Sequence, residues 1–338
     1  MQDVRPDRKA VLVATSDWHF RLTTPKSRAE EDWMEVQNDA LYQMYNLCAH
    51  NDDCDLVIAG DVFDDGWRAD KCPPLLVNQA INWMQCFPGK IYVVAGQHDL
   101  PNHRLDKIGG SAIQTLVEAG VVQMLRPSQP FVGNGICLYG RSWGEGGSQD
   151  MPEPKVIRNT DGKDKGKALL NVVALHAYCW NDDSTRHKDC KDSDHALKWR
   201  ERLKGYDVAI FGDNHKGFLR ERDYKGNGPV IYNTGGPLNR NSDERGAKRH
   251  VGLIYADGMV EKHYLNLEEK WKDAEDLVLS KDPAENLQSE EFLKQLAEAG
   301  PQFFDFCASM LRHLDKQGVR TAVRDIVTKV LAKAKGEA

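Results

Sequence analysis

The sequence predicts an α/β fold with a largely parallel sheet. Short β-branched apolar runs alternate with helical patterns through the first half of the 338-residue chain, and polar clusters rich in Asp and His close several runs. Strand, helix, strand, helix and strand in succession indicate βαβ units, whose strands pair in parallel. The length suits one large α/β domain with an appendage, or two modest domains.

The predicted elements follow from these runs in chain order. Strands are predicted at AVLVATSD (10–17), DLVIAGD (55–61), KIYVVAGQHD (90–99), ICLYGRSW, NVVALHAY, DVAIFGD and GPVIYNT, and helices at AEEDWMEVQNDALYQMYNLCAH and LLVNQAINWMQCF. The strand runs are short and β-branched, whereas the helical segments space their apolar residues three or four positions apart. The segment HVGLIYADGMVEKHYLNL predicts two more strands joined by a hairpin turn at Asp257 and Gly258.

Two stretches depart from this alternation. Residues 144–168 are rich in Gly, Pro and charge and predict an exposed excursion. From about residue 267 the composition changes to amphipathic helices punctuated by Gly-Pro and Gly. We therefore predict an α/β domain over residues 1–266 and a small helical region over residues 267–338.

Composition narrows the class of protein. Hydrophobic residues make up 41% and charged residues 28% of the chain, as in ordinary soluble proteins. The net charge of -6 gives no overall basic field for nucleic acid, although a nuclease needs only a local basic track and metal ions. No signal peptide or membrane span is evident, and the eight cysteines form no C-x-x-C pair. We expect a cytoplasmic protein with free thiols and no membrane association.

Five strand runs end in side chains that can bind metal ions. A single cluster is weak evidence, because an Asp after a strand is usually a turn residue and a lone His in an apolar run usually belongs to the core. Five clusters at the same end of their strands are hard to attribute to turns, and such loops converge on one crevice. The clusters are Asp17 and His19, Asp61 and Asp64, Gln97 with His98 and Asp99, His176, and Asp213 with His215.

The order of these clusters resembles a known family. SDWHF, GDVFDDG, GQHD, LHAY and GDNH follow the order of the calcineurin-like metallophosphoesterases: D-x-H, G-D-x-x-D, G-N-H-D, a lone His, then G-H-x-H. The resemblance spans residues 10 to about 266 and implies an α/β sandwich of two mixed sheets flanked by helices. TSDWH, AGDVFD, GQHDLPNH and YNTGGPLNR are most similar to the SbcD-type nuclease subunit of double-strand-break repair complexes, in a compact, phage-type form.

The resemblance implies a centre with two divalent ions. It assigns Asp17, His19 and His215 to one ion, Asp61 to both ions, and Gln97, His176 and Asp213 to the other. Two ions about 3.5–4 Å apart can activate water and neutralise charge in an in-line phosphoryl displacement. Carboxylate, amide and imidazole ligands suit Mn²⁺, or Mg²⁺ as the alternative, better than a thiolate zinc site.

The same resemblance assigns catalytic roles to His98 and Asp99, which follow Gln97 in the chain. His98 would stabilise the scissile phosphate and protonate the leaving oxygen, and Asp99 would orient its imidazole. We interpret Asp64 as a supporting residue or structural cap rather than a ligand.

Two positions depart from the family pattern. Gln97 replaces the usual Asn, which keeps a carbonyl ligand on a longer side chain. Asp213 replaces the first His of G-H-x-H, which exchanges a neutral nitrogen for an anionic oxygen and leaves metal binding available. We interpret Asp213 as a ligand in a modified site, the alternative being a weakened second site with slowed or lost catalysis.

The substrate and partners are predicted from weaker signals. His103 and Arg104 could contact a phosphate backbone or form a solvated turn, and Trp18 and Trp180 could stack on a base or pack against the sheet. Basic residues flank the strand of His176 and could contact DNA or be solvated. They are Lys155, Arg158, Lys163, Lys165, Lys167, Arg186, His187 and Lys188. The resemblance implies DNA as substrate, a homodimer, and an SbcC-type coiled-coil ATPase docked on the C-terminal helices.

The sequence is compatible with three functions. The favoured one is a Mn²⁺-dependent DNA exo/endonuclease subunit that acts with the ATPase in DNA repair or recombination. The second is a stand-alone phosphodiesterase or phosphatase, indicated by fast turnover of small esters without a partner. The third is a catalytically impaired DNA-binding or scaffold subunit, indicated by DNA binding without metal-dependent cleavage.

Overall fold

Two six-stranded β-sheets form the centre of the computed structural model, which describes residues 8–145, 151, 153–158, 166, 168–188, 190–222 and 228–273. The strands are β1 (Ala10–Thr15), β2 (Asp55–Ala59), β3 (Ile91–Val94), β4 (Gln123–Met124), β5 (Phe131–Gly133), β6 (Ile136–Arg141), β7 (Leu170–His176), β8 (Val208–Gly212), β9 (Phe218–Arg220), β10 (Val230–Asn233), β11 (His250–Tyr255) and β12 (Val260–Tyr264). The first sheet has the order β12-β11-β1-β2-β3-β4, and the second has the order β5-β6-β7-β8-β10-β9.

Both sheets are mixed. In the first sheet β1 to β4 are parallel, while β11 and β12 are antiparallel additions. In the second sheet β6, β7, β8 and β10 are parallel, while β5 and β9 are antiparallel. The register pairs Ala59 with Val94 in the first sheet and His176 with Gly212 in the second. The carboxyl ends of neighbouring strands therefore lie side by side, where the predicted site residues follow.

The core between the sheets consists of alternate strand residues from both. Leu12 and Val57 of the first sheet belong to the same buried cluster as Val172 and Ile210 of the second. The helices are α1 (Trp33–His50), α2 (Pro74–Cys86), α3 (Ala112–Glu118) and α4 (Ala196–Arg202). The opposite face of the first sheet is covered by α1 and α2, and that of the second by α4. The two-sheet sandwich with outer helices is confirmed.

Local sequence explains the element ends. Asp32 caps α1 by accepting hydrogen bonds from the backbone amides of Met34 and Glu35, at 2.8 and 3.3 Å; such a cap contributes about 1 kcal/mol. The predicted hairpin turn joins β11 to β12, and Gly258 there has a φ of 82°, which favours glycine. All predicted strands and both long helices are confirmed, and the structure adds the short strands β4, β5 and β9.

Several predictions fall on residues outside the described ranges. They include Lys163, Lys165 and Lys167 of the excursion and the C-terminal helices from residue 274 onward. The compact unit that contains both sheets extends to Trp271. In the part of the chain that the structure describes, no helix is both long and apolar enough to cross a membrane.

Candidate metal centre

Four predicted ligands share an unusual backbone conformation. The φ angles are 52° at Asp17, 46° at His19, 51° at Asp61 and 85° at Asp213. Non-glycine residues with positive φ are strained by about 1–3 kcal/mol and persist where the surrounding structure enforces them. Backbone hydrogen bonds do so here, from the amide of Asp17 to the carbonyl of Gly60 at 2.9 Å and from the amide of His19 to that of Asp61 at 3.0 Å. The strand ends are therefore shaped around their side chains.

The residues assigned to the first ion converge in the structure. Ligand atoms of Asp17, His19 and His215 all lie within 4.8 Å of one another. Asp17 Oδ1 is 3.9 Å from Nε2 of both histidines. Asp17 is held by Ser16 and by the backbone amide of Asp213, which donates to its carboxylate at 3.1 Å. These three side chains can hold one divalent ion.

Asp61 lies between the two predicted ion positions. Its Oδ2 is 3.7 Å from His19 Nε2 and 3.4 Å from His176 Nε2. Its Oδ1 accepts a hydrogen bond of 2.9 Å from the backbone amide of His98. One carboxylate oxygen is thus oriented by the backbone, and the other faces imidazoles of both groups. This placement suits the bridging role that the sequence predicts.

The residues assigned to the second ion are linked through Gln97. Gln97 Oε1 lies 2.7 Å from His176 Nε2, and its Nε2 donates to Asp213 Oδ1 at 2.7 Å. His176 Nδ1 donates to the carbonyl of Ala59 at 2.7 Å, which directs Nε2 into the centre. Gln97 and Asp213, the two residues that depart from the family pattern, are therefore in contact. The Gln97 side chain, longer than the usual Asn, reaches the Asp213 side chain, which is shorter than the usual His.

The charges in this second group favour a cation. Burial by itself would lower the pKa of His176, but the neighbouring carboxylates, Asp61 first, raise it to about 10. A positive charge is therefore stabilised at this position, whether a proton or a metal ion carries it.

Buried atoms without hydrogen-bond partners show that the residues fit metal ions. Among the described residues, both ring nitrogens of His19 and Oδ2 of Asp61 are buried without such a partner. Each unsatisfied atom costs roughly 1–3 kcal/mol, a penalty that a bound cation removes. Burial, and then the charge of Arg240, lowers the pKa of His19 well below its usual value. The neutral imidazole keeps a lone pair for a metal ion.

A family model described as calcineurin-like phosphoesterase matches residues 10–217, which contain every one of these candidate ligands. The chain belongs to the calcineurin-like phosphoesterase family. It is therefore a metal-dependent phosphoesterase, and its clustered Asp and His side chains are candidate ligands for divalent ions. No curated protein sequence matches the chain.

Solved structures similar to this phosphoesterase are distant in sequence. The protein TT1561 of Thermus thermophilus is 8% identical, with 76% of this chain and 100% of that chain covered and a TM-score of 0.41. A dimetal phosphatase from Danio rerio is 13% identical, with 78% and 100% covered and a TM-score of 0.41. The nuclease MPE from Pseudomonas putida is 13% identical, with 76% and 89% covered and a TM-score of 0.32. The family assignment therefore rests on the family model.

Sequence analysis missed residues that support the centre of this phosphoesterase. The carboxylate of Glu244 accepts a hydrogen bond of 3.0 Å from His215 Nδ1 and pairs with Arg249 at 2.9 Å. Burial alone would raise the pKa of Glu244, but the His215 hydrogen bond and the Arg249 charge hold it well below its usual range. Glu244 thus fixes the His215 tautomer and leaves Nε2 for a metal ion. In the sequence, Glu244 lies in the charged segment SDERGAKRH, and nothing in that segment indicates a contact with His215.

Arg240 is a second residue that the motifs did not assign. Its guanidinium pairs with Asp64 at 3.0 Å and lies 3.4 Å from His215 Nε2. Asp64 also pairs with Arg21 at 3.0 Å and is 3.5 Å from His19 Nδ1. Two arginines thus occupy the carboxylate of Asp64, which agrees with the interpretation that it supports the site rather than binding metal.

The contacts of Asp99 require a correction. The carboxylate of Asp99 does not orient His98, because it accepts hydrogen bonds from the backbone amides of Phe63 at 3.0 Å and Gly96 at 2.9 Å. His98 Nδ1 donates instead to the carbonyl of Asp64 at 2.7 Å. Burial first, and then the charge of Asp61, raises the pKa of Asp99 to about 7. Asp99 therefore ties the β2 and β3 loops together.

His98 itself lies at the centre. Its ring centroid is 5.0 Å from that of His19, and it forms a potential ligand group with His19 and Asp61. Because Nδ1 is bound to a carbonyl, Nε2 is the atom available to a substrate or an ion. The geometry thus allows His98 to act as the predicted proton donor or as a metal ligand. Removal of its imidazole would have a different effect in each case.

His103 and Arg104, the two residues predicted to contact substrate, are both exposed but have different neighbours. His103 is exposed, with its ring centroid 6.3 Å from that of His98. Arg104 is also exposed, but its guanidinium forms two hydrogen bonds with Asp106, at 3.0 and 2.7 Å. Contact of either residue with substrate stays a prediction.

The two tryptophans pack within the protein. Trp18 is 3% exposed and lies edge-on to Phe20, with ring centroids 5.3 Å apart. Trp180 is 8% exposed, and the guanidinium of Arg186 lies 4.5 Å from its ring centroid. The alternative that both side chains pack against the fold is confirmed.

Glycines allow the close approach of these loops, and one gives a direct test. A Cβ on Gly96 would collide with the carboxylate of Asp61, although the φ of -92° at Gly96 suits any residue. We expect Gly96→Ala to displace Asp61, to weaken Mn²⁺ binding at least about tenfold, and to lower the free energy of unfolding by roughly 1–3 kcal/mol. Calorimetric Mn²⁺ titration and urea unfolding measure both effects. Gly109→Ala is the control, since no atom lies within 4 Å of its new Cβ; equal behaviour of the two variants would contradict the prediction.

Proposed function

We propose that the chain is a Mn²⁺-dependent nuclease that hydrolyses DNA phosphodiester bonds at a two-metal centre. The observation that carries the proposal is the position of Asp61 Oδ2, 3.7 Å from His19 Nε2 and 3.4 Å from His176 Nε2. When bound there, two divalent ions would activate water and neutralise the charge of the phosphoryl group. Asp17, His19 and His215 would hold one ion and Gln97, His176 and Asp213 the other, with Asp61 shared.

The side chains around the centre would handle the proton and the charge. His98 donates through Nδ1 to the carbonyl of Asp64, so its protonated Nε2 could donate to the leaving oxygen. Arg240, with a side chain that is 10% exposed, adds a fixed positive charge next to His215. Such preorganised charge favours the developing anion more than the bound ester.

DNA is proposed as the substrate from the sequence motifs. TSDWH, AGDVFD, GQHDLPNH and YNTGGPLNR are similar to those of SbcD-type repair nucleases. The exposed position of His103 beside His98 supports contact with a strand at the centre. We extend the proposal to a role in DNA repair or recombination, with a homodimer and an SbcC-type ATPase that docks on the region after residue 267.

The test is cleavage of end-labelled single- and double-stranded DNA with Mn²⁺, beside a chelator control and the small diester bis(p-nitrophenyl) phosphate. Mn²⁺-dependent DNA cleavage would support the proposal. Cleavage of the small diester alone would favour a stand-alone phosphodiesterase. DNA binding with no cleavage of either substrate, also after addition of an ATPase partner, would favour an impaired scaffold subunit.

Asp213 provides a test of the modified second site. Asp213→Ala removes the oxygen that Gln97 contacts at 2.7 Å, so we expect the Mn²⁺ concentration for half-maximal cleavage to rise at least about tenfold. Asp213→His restores the imidazole of the family pattern and should recover most of the lost affinity. Asp70→Ala, which alters an exposed residue paired with Arg68, is the control. An unchanged Mn²⁺ requirement in Asp213→Ala would remove Asp213 from the ligand set.

A further inference from the structure

A cavity of about 600 Å³ opens directly beside the metal centre. Asp213 and His215 form one side of it, so the cavity and the centre share residues. The other sides come from the loop after β7, the segment between β10 and β11, and β12. Its volume lies in the usual range of about 300–1,000 Å³ for ligand sites. A molecule bound in this cavity would lie directly next to a phosphate group held at the metal centre.

Apart from histidines, four basic and three acidic side chains line the cavity. Lys216, Lys248 and Lys262 are three of the basic ones, and within the described ranges no hydrogen bond or ion pair engages their amino groups. Arg249, the fourth, is paired with Glu244 at 2.9 Å. Because Asp213 belongs to the metal centre, the rest of the lining sets three lysines against Asp243 and is locally basic in a chain of net charge -6. Burial lowers the pKa of Lys262, and a bound anion would raise it again.

An exposed aromatic ring lies among these lysines. Tyr264 lines the cavity and is 47% exposed. Its ring meets His250 edge-to-face, with centroids 5.7 Å apart and planes at 89°. Because each nucleobase has a flat π-face, an exposed ring beside cations is the usual platform for an unpaired strand. A phosphate ester without a base would leave the ring without a partner.

We propose that this cavity binds single-stranded nucleic acid next to the scissile phosphate, with the three lysines on successive phosphates and a base stacked on Tyr264. The inference rests on the proposed nuclease function and names its substrate class. The lysines belong to three separate segments that all line the cavity, the loop after β8, the loop before β11, and β12. A duplex hides its base faces, whereas a single strand can present a base to the exposed ring of Tyr264.

The test measures binding without metal, separately from catalysis. Fluorescence anisotropy of a labelled oligothymidylate of about twelve nucleotides, in chelator, compares the wild type with two cavity variants. We expect Lys248→Ala/Lys262→Ala to weaken binding at least about tenfold and to reduce the salt slope of log K by about 0.7 per lysine. Tyr264→Ala should weaken binding by about tenfold at an unchanged salt slope, because stacking releases no counterions.

Matched controls lie outside the cavity. Lys198→Ala removes an exposed lysine on α4, and Tyr42→Ala removes a tyrosine on α1 that is 56% exposed. Both should bind like the wild type. The proposal is overturned if the cavity variants also bind like the wild type, if a duplex or a phosphopeptide binds as tightly as the oligothymidylate, or if the wild type does not bind it.

Hydrolysis by the wild type separates this inference from the proposed function. If the wild type cleaves neither DNA nor bis(p-nitrophenyl) phosphate with Mn²⁺, also after addition of an ATPase partner, yet binds oligothymidylate through these residues, the nuclease fails and the binding site stands. If it cleaves DNA and the cavity variants bind normally, the nuclease stands and the binding site fails.

Discussion

Asp61→Asn is expected to lower phosphodiester turnover by at least about 10³-fold and to eliminate tight Mn²⁺ binding. The substitution keeps the shape of the side chain but removes the negative charge between His19 and His176. A metal ion contributes several kcal/mol to stabilising the transition state, which corresponds to three or more decades in rate. Hydrolysis of bis(p-nitrophenyl) phosphate and calorimetric Mn²⁺ titration measure the two effects.

The same variant should be less stable than the wild type when metal is removed. Burial by itself would raise the pKa of Asp61, but the charge of His176, 3.4 Å away, holds that pKa below its usual value, and Asn leaves this imidazole without its carboxylate partner. The unfolding temperature in chelator is therefore expected to fall, and turnover is compared at a temperature well below both unfolding transitions, which separates loss of function from loss of structure. Asp70→Asn, at an exposed carboxylate paired with Arg68, should change neither quantity. An Asp61→Asn protein that still binds two ions and turns over normally would exclude the shared role of Asp61.

The strand ends could be predicted because their chemistry is local. An apolar run followed by Asp or His identifies both the strand and the point where the chain turns, and the parallel order of the strands brings these points to one edge. The residues predicted after β1, β2, β3, β7 and β8 are accordingly brought together. The short strand β4, of two residues, has no such pattern and exists only through its pairing with β3.

The supporting residues could not be predicted because their partners are distant in the chain. Glu244 is hydrogen-bonded to His215 and Arg240 to Asp64 only after β10 and the following loop fold over the centre. For Asp99 the sequence suggested a contact that is not formed, because Asp99 follows His98 directly in the chain. The 3₁₀ turn at Gln97–Asp99 directs its carboxylate to backbone amides instead. Side-chain direction in a turn depends on φ and ψ, which adjacency does not give.

The contact between Gln97 and Asp213, the two departures from the family pattern, could not be predicted from the sequence either. Read separately, Gln97 and Asp213 each weaken the expected site, one by adding a methylene and the other by replacing imidazole with carboxylate. In the structure they are direct partners, with Gln97 Nε2 2.7 Å from Asp213 Oδ1. The longer amide and the shorter acid thus compensate in space, a relation that two positions far apart in the sequence do not reveal.

His98→Ala is expected to slow DNA cleavage by roughly 10²–10⁴-fold while leaving Mn²⁺ affinity unchanged. The alkoxide that leaves from DNA is a poor leaving group and needs a proton, which His98 Nε2 can supply while Nδ1 remains bound to the Asp64 carbonyl. The p-nitrophenolate of bis(p-nitrophenyl) phosphate leaves without protonation, so turnover of that diester should fall far less. The ratio of the two rate losses, measured in parallel, is the signature of a proton donor.

The same pair of substrates distinguishes the alternative role. If His98 were a metal ligand, as its distance from His19 and Asp61 allows, then Mn²⁺ affinity would fall and both substrates would slow by the same factor. His50→Ala changes an exposed imidazole at the end of α1 and should leave both rates at the wild-type level. Because Asp99 does not contact the imidazole, Asp99→Asn should not reproduce the substrate-dependent loss, even where it loosens the loops. A substrate-dependent loss in Asp99→Asn equal to that in His98→Ala would restore the orienting role that the contacts exclude.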